Sequence, residues 1–149
     1  MSQDSANSQS VRPFHLAIPV LNLKESLDFY QRLFPVSLGR RSDHWVDLNL
    51  YGHQLVLHQV SRDMAGGLAH NPVDGHSVPV PHFGVILTMS EWRHLADHLT
   101  AKKVEFVIEP YIRFAGQPGE QGTLFLLDPS SNALEFKGFN DFSEIFAVG

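Results

Sequence analysis

Pro13-Phe14-His15-Leu16-Ala17-Ile18-Pro19-Val20 and Pro81-His82-Phe83-Gly84-Val85-Ile86-Leu87 are two passes through one pattern: proline, histidine and a short apolar run. Both read as buried strands. The repeat continues beyond these two runs. After the first run, Asn22 with Glu25 three residues on forms a capping pair, and Leu23, Leu27, Tyr30 and Phe34 recur at helical spacing until Pro35 closes the helix. After the second, Ser90 is placed to cap a helix with Trp92, Leu95, Ala96 and Leu99 on its apolar face, ending near Lys102 and Lys103, where cations suit the helix dipole. Each half then carries three strands: residues 36–41, 45–50 and 54–60 in the first, and residues 104–109, 122–127 and 132–138 in the second. The expected fold is α+β, a single domain over residues 12–138 built of two βαβββ modules at about 12–60 and 82–138.

The segments outside this plan are readable by composition. Residues 61–81 are rich in Gly, Pro, Asn and Asp without periodicity, and read as a long loop, either a cover for a pocket or a tether. Residues 1–11 are polar, with no apolar core and no basic start, so they read as a disordered tail rather than a signal peptide. Residues 139–149 form a C-terminal extension. No apolar run approaches the roughly eighteen residues of a membrane span.

With 149 residues, the chain can bury roughly two thirds of the surface its unfolded form exposes. It has no cysteine, which excludes disulfides, thiolate zinc sites and cysteine nucleophiles; any metal must be held by nitrogen and oxygen. This fits a cytoplasmic protein. A formal charge of -5 with no Lys/Arg cluster argues against nucleic acid and for small-molecule partners. Nine histidines are more than such a chain ordinarily carries.

Strand alternation sorts the polar groups by face. Phe14, Leu16, Ile18 and Val20 form a greasy face, leaving His15 and Ala17 opposite. Phe83, Val85 and Leu87 leave His82 and Gly84 opposite; Leu134 and Phe136 leave Ala133, Glu135 and Lys137; Leu55 and Leu57 leave Gln54, Val56 and His58. Small residues therefore stand two positions from His15, His82 and Glu135 and make room for a ligand. A lone histidine is more often hydrogen-bonded in a core or at a surface than a ligand. Here repetition at matching positions strengthens the case, because a buried carboxylate with two neutral imidazoles is a common donor set for a divalent ion.

His15 and His82 at the heads of the modules, Leu27-Asp28-Phe29-Tyr30 in the first helix, and Asp128-Pro129-Ser130-Ser131-Asn132-Ala133-Leu134-Glu135-Phe136 near the end resemble the vicinal oxygen chelate superfamily. That superfamily includes glyoxalase I, bleomycin-resistance proteins and extradiol dioxygenases. The closing run is the most specific part; its resemblance to a calcium loop fails for want of the glycine and the twelve-residue spacing. The segments Trp45-Val46-Asp47-Leu48-Asn49-Leu50-Tyr51-Gly52-His53-Gln54 and Val80-Pro81-His82-Phe83-Gly84-Val85 are similar to short bacterial proteins regarded as extradiol-type dioxygenases. Ser131 departs from the glycine many relatives carry in that turn, which implies a slightly different turn geometry.

The resemblance implies a U-shaped mixed-sheet cup around a divalent metal, with His15, His82 and Glu135 as a two-histidine, one-carboxylate triad. Glyoxalases of the family use a fourth ligand, usually Glu or Gln, from the last strand of the first module; the resemblance places His58 there, as ligand or as acid/base. His53, Tyr111 and Arg113 are candidates for orienting groups or substrate contacts. The expected activity is Fe(II)-dependent dioxygenation of a small vicinal diol or catechol, and Mn(II), Zn(II) and Ni(II) suit the same donors. One alternative is a glyoxalase-like isomerase or lyase with four metal ligands. Another is a metal-free protein that sequesters a small aromatic compound. Relatives commonly dimerise, so a homodimer is expected.

Overall fold

The computed structural model describes residues 11–148; the polar-tail reading of residues 1–11 falls almost wholly outside them. The first module runs β1 (His15–Val20), α1 (Leu23–Leu33), β2 (Val36–Arg41), β3 (Trp45–Leu50) and β4 (His53–Gln59). Asn22 caps α1 by accepting from the Glu25 amide at 2.9 Å, and the helix stops before Pro35. Its buried stripe includes Leu23, Phe29, Tyr30 and Leu33, whereas Leu27 is only half buried. The sheet order is β1-β4-β3-β2, with β1 parallel to β4 and at an edge.

Residues 61–81, expected as a loop, contain a short 3₁₀ turn and a β-hairpin of β5 (Ala69–Val73) and β6 (His76–Val80). Asp74 and Gly75 form its two-residue turn, both at positive φ (50° and 78°), the conformation an Asp-Gly pair accommodates best. The Asp-Gly pair is a hairpin signal, but His70-Asn71-Pro72 and Pro79 dilute any strand pattern around it.

In the second module the first strand is broken into β7 (His82–Phe83) and β8 (Ile86–Thr88), before α2 (Met89–Ala101), β9 (Phe106–Arg113), β10 (Gln121–Leu127) and β11 (Ala133–Phe139). Thr88, not Ser90, caps α2: its side chain accepts from the Glu91 amide while Glu91 accepts from the Thr88 amide. The helix therefore begins directly off β8. The order is β7/β8-β11-β10-β9, so β7 and β8 share one edge. The α+β, two-module expectation holds. Each module's sheet is mixed, and the two form separate hydrogen-bonded sheets.

One apolar core joins the modules, with Phe34 stacked on Phe136 at 5.1 Å between centroids. The Asp-Pro-x-x-Asn turn clamps them. Buried Asp128 accepts from the Ser130 and Asn132 amides, the Asn132 side chain and the Tyr30 hydroxyl, the last at 2.8 Å. Asn132 in turn donates to the Pro19 carbonyl at 2.8 Å, and the Leu21 amide donates to the Ser130 hydroxyl. Burial first, and the Asp128 charge second, push the Tyr30 pKa well up, so this hydroxyl stays a donor. Ser131 takes φ 65°, the left-handed conformation that favours glycine, without needing one. Among the described residues, no helix is long and apolar enough to cross a membrane.

Tyr30→Phe removes one of Asp128's buried donors and is expected to cost about 1–3 kcal/mol. In urea unfolding the midpoint should fall with the slope unchanged.

Candidate functional site

His82 and Glu135 meet. Parallel pairing sets His82 opposite Ala133, which places Glu135 on the same face two residues along. The backbone approach is close at this point: a Cβ on Gly84 would lie 1.5 Å from the Glu135 carbonyl oxygen. The space beside His82 that strand parity assigns to a ligand is thus filled by backbone, and it is also why β7 and β8 separate at Gly84. His82 Nε2 lies 3.2 Å from Glu135 Oε1. The Glu135 side chain is 10% exposed, and its second oxygen accepts from the Thr123 hydroxyl at 2.5 Å. His82 Nδ1 donates to the Pro79 carbonyl at 2.7 Å, and its ring stands edge-on to Phe125 at 5.0 Å. That bond orients the ring so that Nε2 faces Glu135.

His15 lies on the other sheet. It is exposed, and its Nδ1 donates to Gln54 Oε1 at 2.7 Å, which again leaves Nε2 free. Among the described residues, no three His, Asp or Glu side chains cluster closely enough to hold a metal. The structure therefore brings together two of the three expected ligands and leaves His15 apart. Each of the three nevertheless has its remaining polar atom committed to a neighbour, as orienting partners do for metal ligands.

The register moves two other expectations. His58 pairs with Pro19, while Gln54 is the residue opposite His15. Four strand residues, about 13 Å, separate His58 from His15, so the position beside His15 belongs to Gln54 rather than His58. Parity alone puts Gln54 on that face; only the β1–β4 register makes it the neighbour of His15. His53 faces the helix side, where its Nδ1 accepts the Phe14 amide at 2.8 Å and helps dock the start of β1. Thr123 escapes sequence reasoning altogether, because a threonine in an apolar strand gives no signal until its partner across the sheet is known.

Tyr111 and Arg113 do share the Glu135 face, opposite Thr123 and Gln121. Both reach the tip of the β5–β6 hairpin: the Tyr111 hydroxyl donates to Asp74 at 3.0 Å and Arg113 Nε at 2.5 Å. Val78 of the hairpin packs with Ile108, Phe125 and Tyr111. The hairpin thus lies across the site face of the second sheet. The hydrogen bond from Arg113 holds the Asp74 carboxyl below its ordinary pKa. Partial burial first, then Asp74, raises that of Tyr111, which keeps it a donor at neutral pH.

Two βαβββ modules in one chain are the architecture of the vicinal oxygen chelate class of protein. The chain belongs to the glyoxalase/bleomycin resistance protein/dioxygenase superfamily, whose model matches residues 12–136. A crystal structure of a glyoxalase/bleomycin resistance protein/dioxygenase from Alicyclobacillus acidocaldarius is 31% identical, covering 93% of this chain and 98% of that one, with a TM-score of 0.74. Lactoylglutathione lyase from Agrobacterium tumefaciens is 16% identical over 88% of this chain and 95% of that one, with a TM-score of 0.61. The fosfomycin resistance protein FosX from Listeria monocytogenes, complexed with Mn(II) and sulfate ion, is 16% identical over 91% and 95%, also at 0.61. The last two share the fold. Among curated proteins nothing matches.

Gly84→Ala drives a methyl into the Glu135 backbone. It is expected to cost about 1–3 kcal/mol and to pull β7 off β11. Denaturation would read the first, and a changed ring-proton shift of His82 the second.

Proposed function

We propose that the protein is a divalent-metal enzyme whose ligands are His82 and Glu135 of one copy and His15 of a second copy. The observation that carries this reading is the matched orientation of the three donors. Pro79 fixes His82, Thr123 fixes Glu135 and Gln54 fixes His15, yet only two of the three meet in one chain. A converging nitrogen and oxygen pair in a largely buried setting fits a divalent ion. A second copy is the natural source of the third donor, because His15 and His82 both sit on edge strands. Exposed Phe14, Ile86, Phe142 and Phe146 line one groove of about 700 Å³ between those edges. Apolar surface and open edges of this kind favour a partner.

When bound, the ion supplies Lewis acidity and open positions for two adjacent oxygens of a substrate. The chain's own contribution is to hold the donors, wall the site with Phe125 and cover it with the hairpin. The reaction assigned first is extradiol-type oxidation of a small diol or catechol with Fe(II), since three protein ligands leave room for diol and O₂. Loading the protein anaerobically with Fe(II) and screening catechols for ring-cleavage absorbance tests it; full iron loading with no turnover of any diol would contradict it.

Gln54 favours a second reading, a glyoxalase-like isomerase or lyase with four ligands, because an amide oxygen already stands beside His15. Gln54→Ala separates the two. Metal affinity should fall about 10–100-fold if Gln54 only orients His15, and binding should be abolished if it is a ligand.

Sharing of the site between copies has its own test. His15→Ala and Glu135→Ala are each expected to lose tight Mn(II) binding. Mixed in equal amounts and allowed to exchange, they should regain about a quarter of the wild-type sites, because half the dimers are mixed and each holds one complete set. No recovery on mixing would contradict the shared site.

A further inference from the structure

The hairpin tip offers its Asp74 carboxylate to a pair of donors with no other partner in common. Arg113 lies over the Phe114 ring at 4.8 Å and is only 17% exposed, so its guanidinium is held in place from below. Tyr111 adds a hydroxyl that stays protonated at neutral pH. Together they form a preorganised oxyanion receptor, and the charge it now holds is carried by the chain itself. Asp74 is 38% exposed and sits at the turn of a two-stranded hairpin. Such a hairpin is marginally stable alone and is held here by Val78, the Pro79–His82 bond and this ion pair. The receptor also shares a face with the proposed metal pair. Tyr111 is opposite Thr123, which bonds Glu135, and β9 and β11 lie on either side of β10. Two strand spacings across the sheet, with two to four residues along it, put the backbone of the receptor roughly 12–16 Å from that of Glu135.

We infer that Arg113 and Tyr111 are the subsite for an anionic group of the substrate, and that Asp74 is an internal stand-in for that group which the substrate displaces. The inference rests on the proposed catalytic face and deepens it. The substrate class becomes an organic acid whose carboxylate or phosphoryl group lies on the same sheet face as the oxygens that approach His82 and Glu135, but apart from them. Displacement of Asp74 also removes one of the holds on the hairpin, so entry of the acid and loosening of the cover are one event. A neutral substrate would leave the latch closed. Specificity for acids is then a competition between the substrate's charge and a tethered carboxylate.

The test is an NMR titration of the full chain with inorganic phosphate and, separately, acetate, tracking Arg113 Nε–Hε and the Val78 amide. Asp74→Asn keeps a residue that tolerates the left-handed turn but removes the competing charge. It should saturate at roughly tenfold lower anion concentration than wild type. Tyr111→Phe should weaken binding in both backgrounds, and Arg113→Met should abolish it. Saturation of the wild type should also speed hydrogen exchange at Val78. A preference for phosphate identifies a phosphoryl group, and a preference for acetate a carboxylate. The His15→Ala variant, which disables the proposed metal centre without touching the hairpin, should titrate like wild type, so the subsite stands even if the metal reading fails. The inference is overturned if Asp74→Asn binds no tighter than wild type, if saturable binding survives Arg113→Met, or if binding disappears in His15→Ala.

Discussion

The close approach of Gly84 to the Glu135 backbone is the constraint on which the site depends. With no room for a Cβ, the first strand of the second module breaks there, and β7 sits tightly enough on β11 for His82 and Glu135 to converge. A carboxylate and an imidazole at 3.2 Å in a largely buried position are costly to assemble unless further bonds hold them. Thr123 and the Pro79 carbonyl provide those bonds. Pro79 belongs to the hairpin, so the cover over the site and the orientation of His82 have a common origin.

A second constraint explains why the closing motif is so specific. Asp128 and Asn132 touch no site residue directly. They tie the turn before β11 to Tyr30 of the first helix and to the end of β1. Two of the motifs that carry the family resemblance, residues 27–30 and 128–136, are therefore in contact, and their role is to fix the modules against each other and to start β11 at the right residue. Glu135 is positioned from both sides, by this turn and by Gly84. The same clamp packs the modules through their helices and turns and leaves both first strands at free edges. His15 stands apart from its own chain's His82, as the proposed sharing between copies requires.

Much of this is legible in the residues because it depends on period and parity. Alternation alone puts His15, Gln54, His82 and Glu135 on the faces they occupy, and capping chemistry places the start of the first helix. Features that depend on pairing between distant segments are not legible. His58 and Gln54 differ by four positions on one face, and only the β1–β4 register shows that Gln54 is the neighbour of His15. His53 carries a residue type suited to chemistry but a position suited to docking a backbone. Asp74 is far in sequence from Tyr111 and Arg113, and nothing in a polar, proline-broken segment indicates that its turn will reach a strand nearly forty residues later. The assignment of His15 to a partner chain lies beyond any local pattern, since it depends on how two modules pack.

Anomalous diffraction from crystals grown with Mn(II) tests the central claim most directly. The expected map has one strong peak between His82 Nε2 and Glu135 Oε1, with His15 Nε2 of the partner subunit completing the set. A peak bound by a single chain with His15 far from it, or no peak at His82 and Glu135 despite bound manganese, would contradict the shared centre.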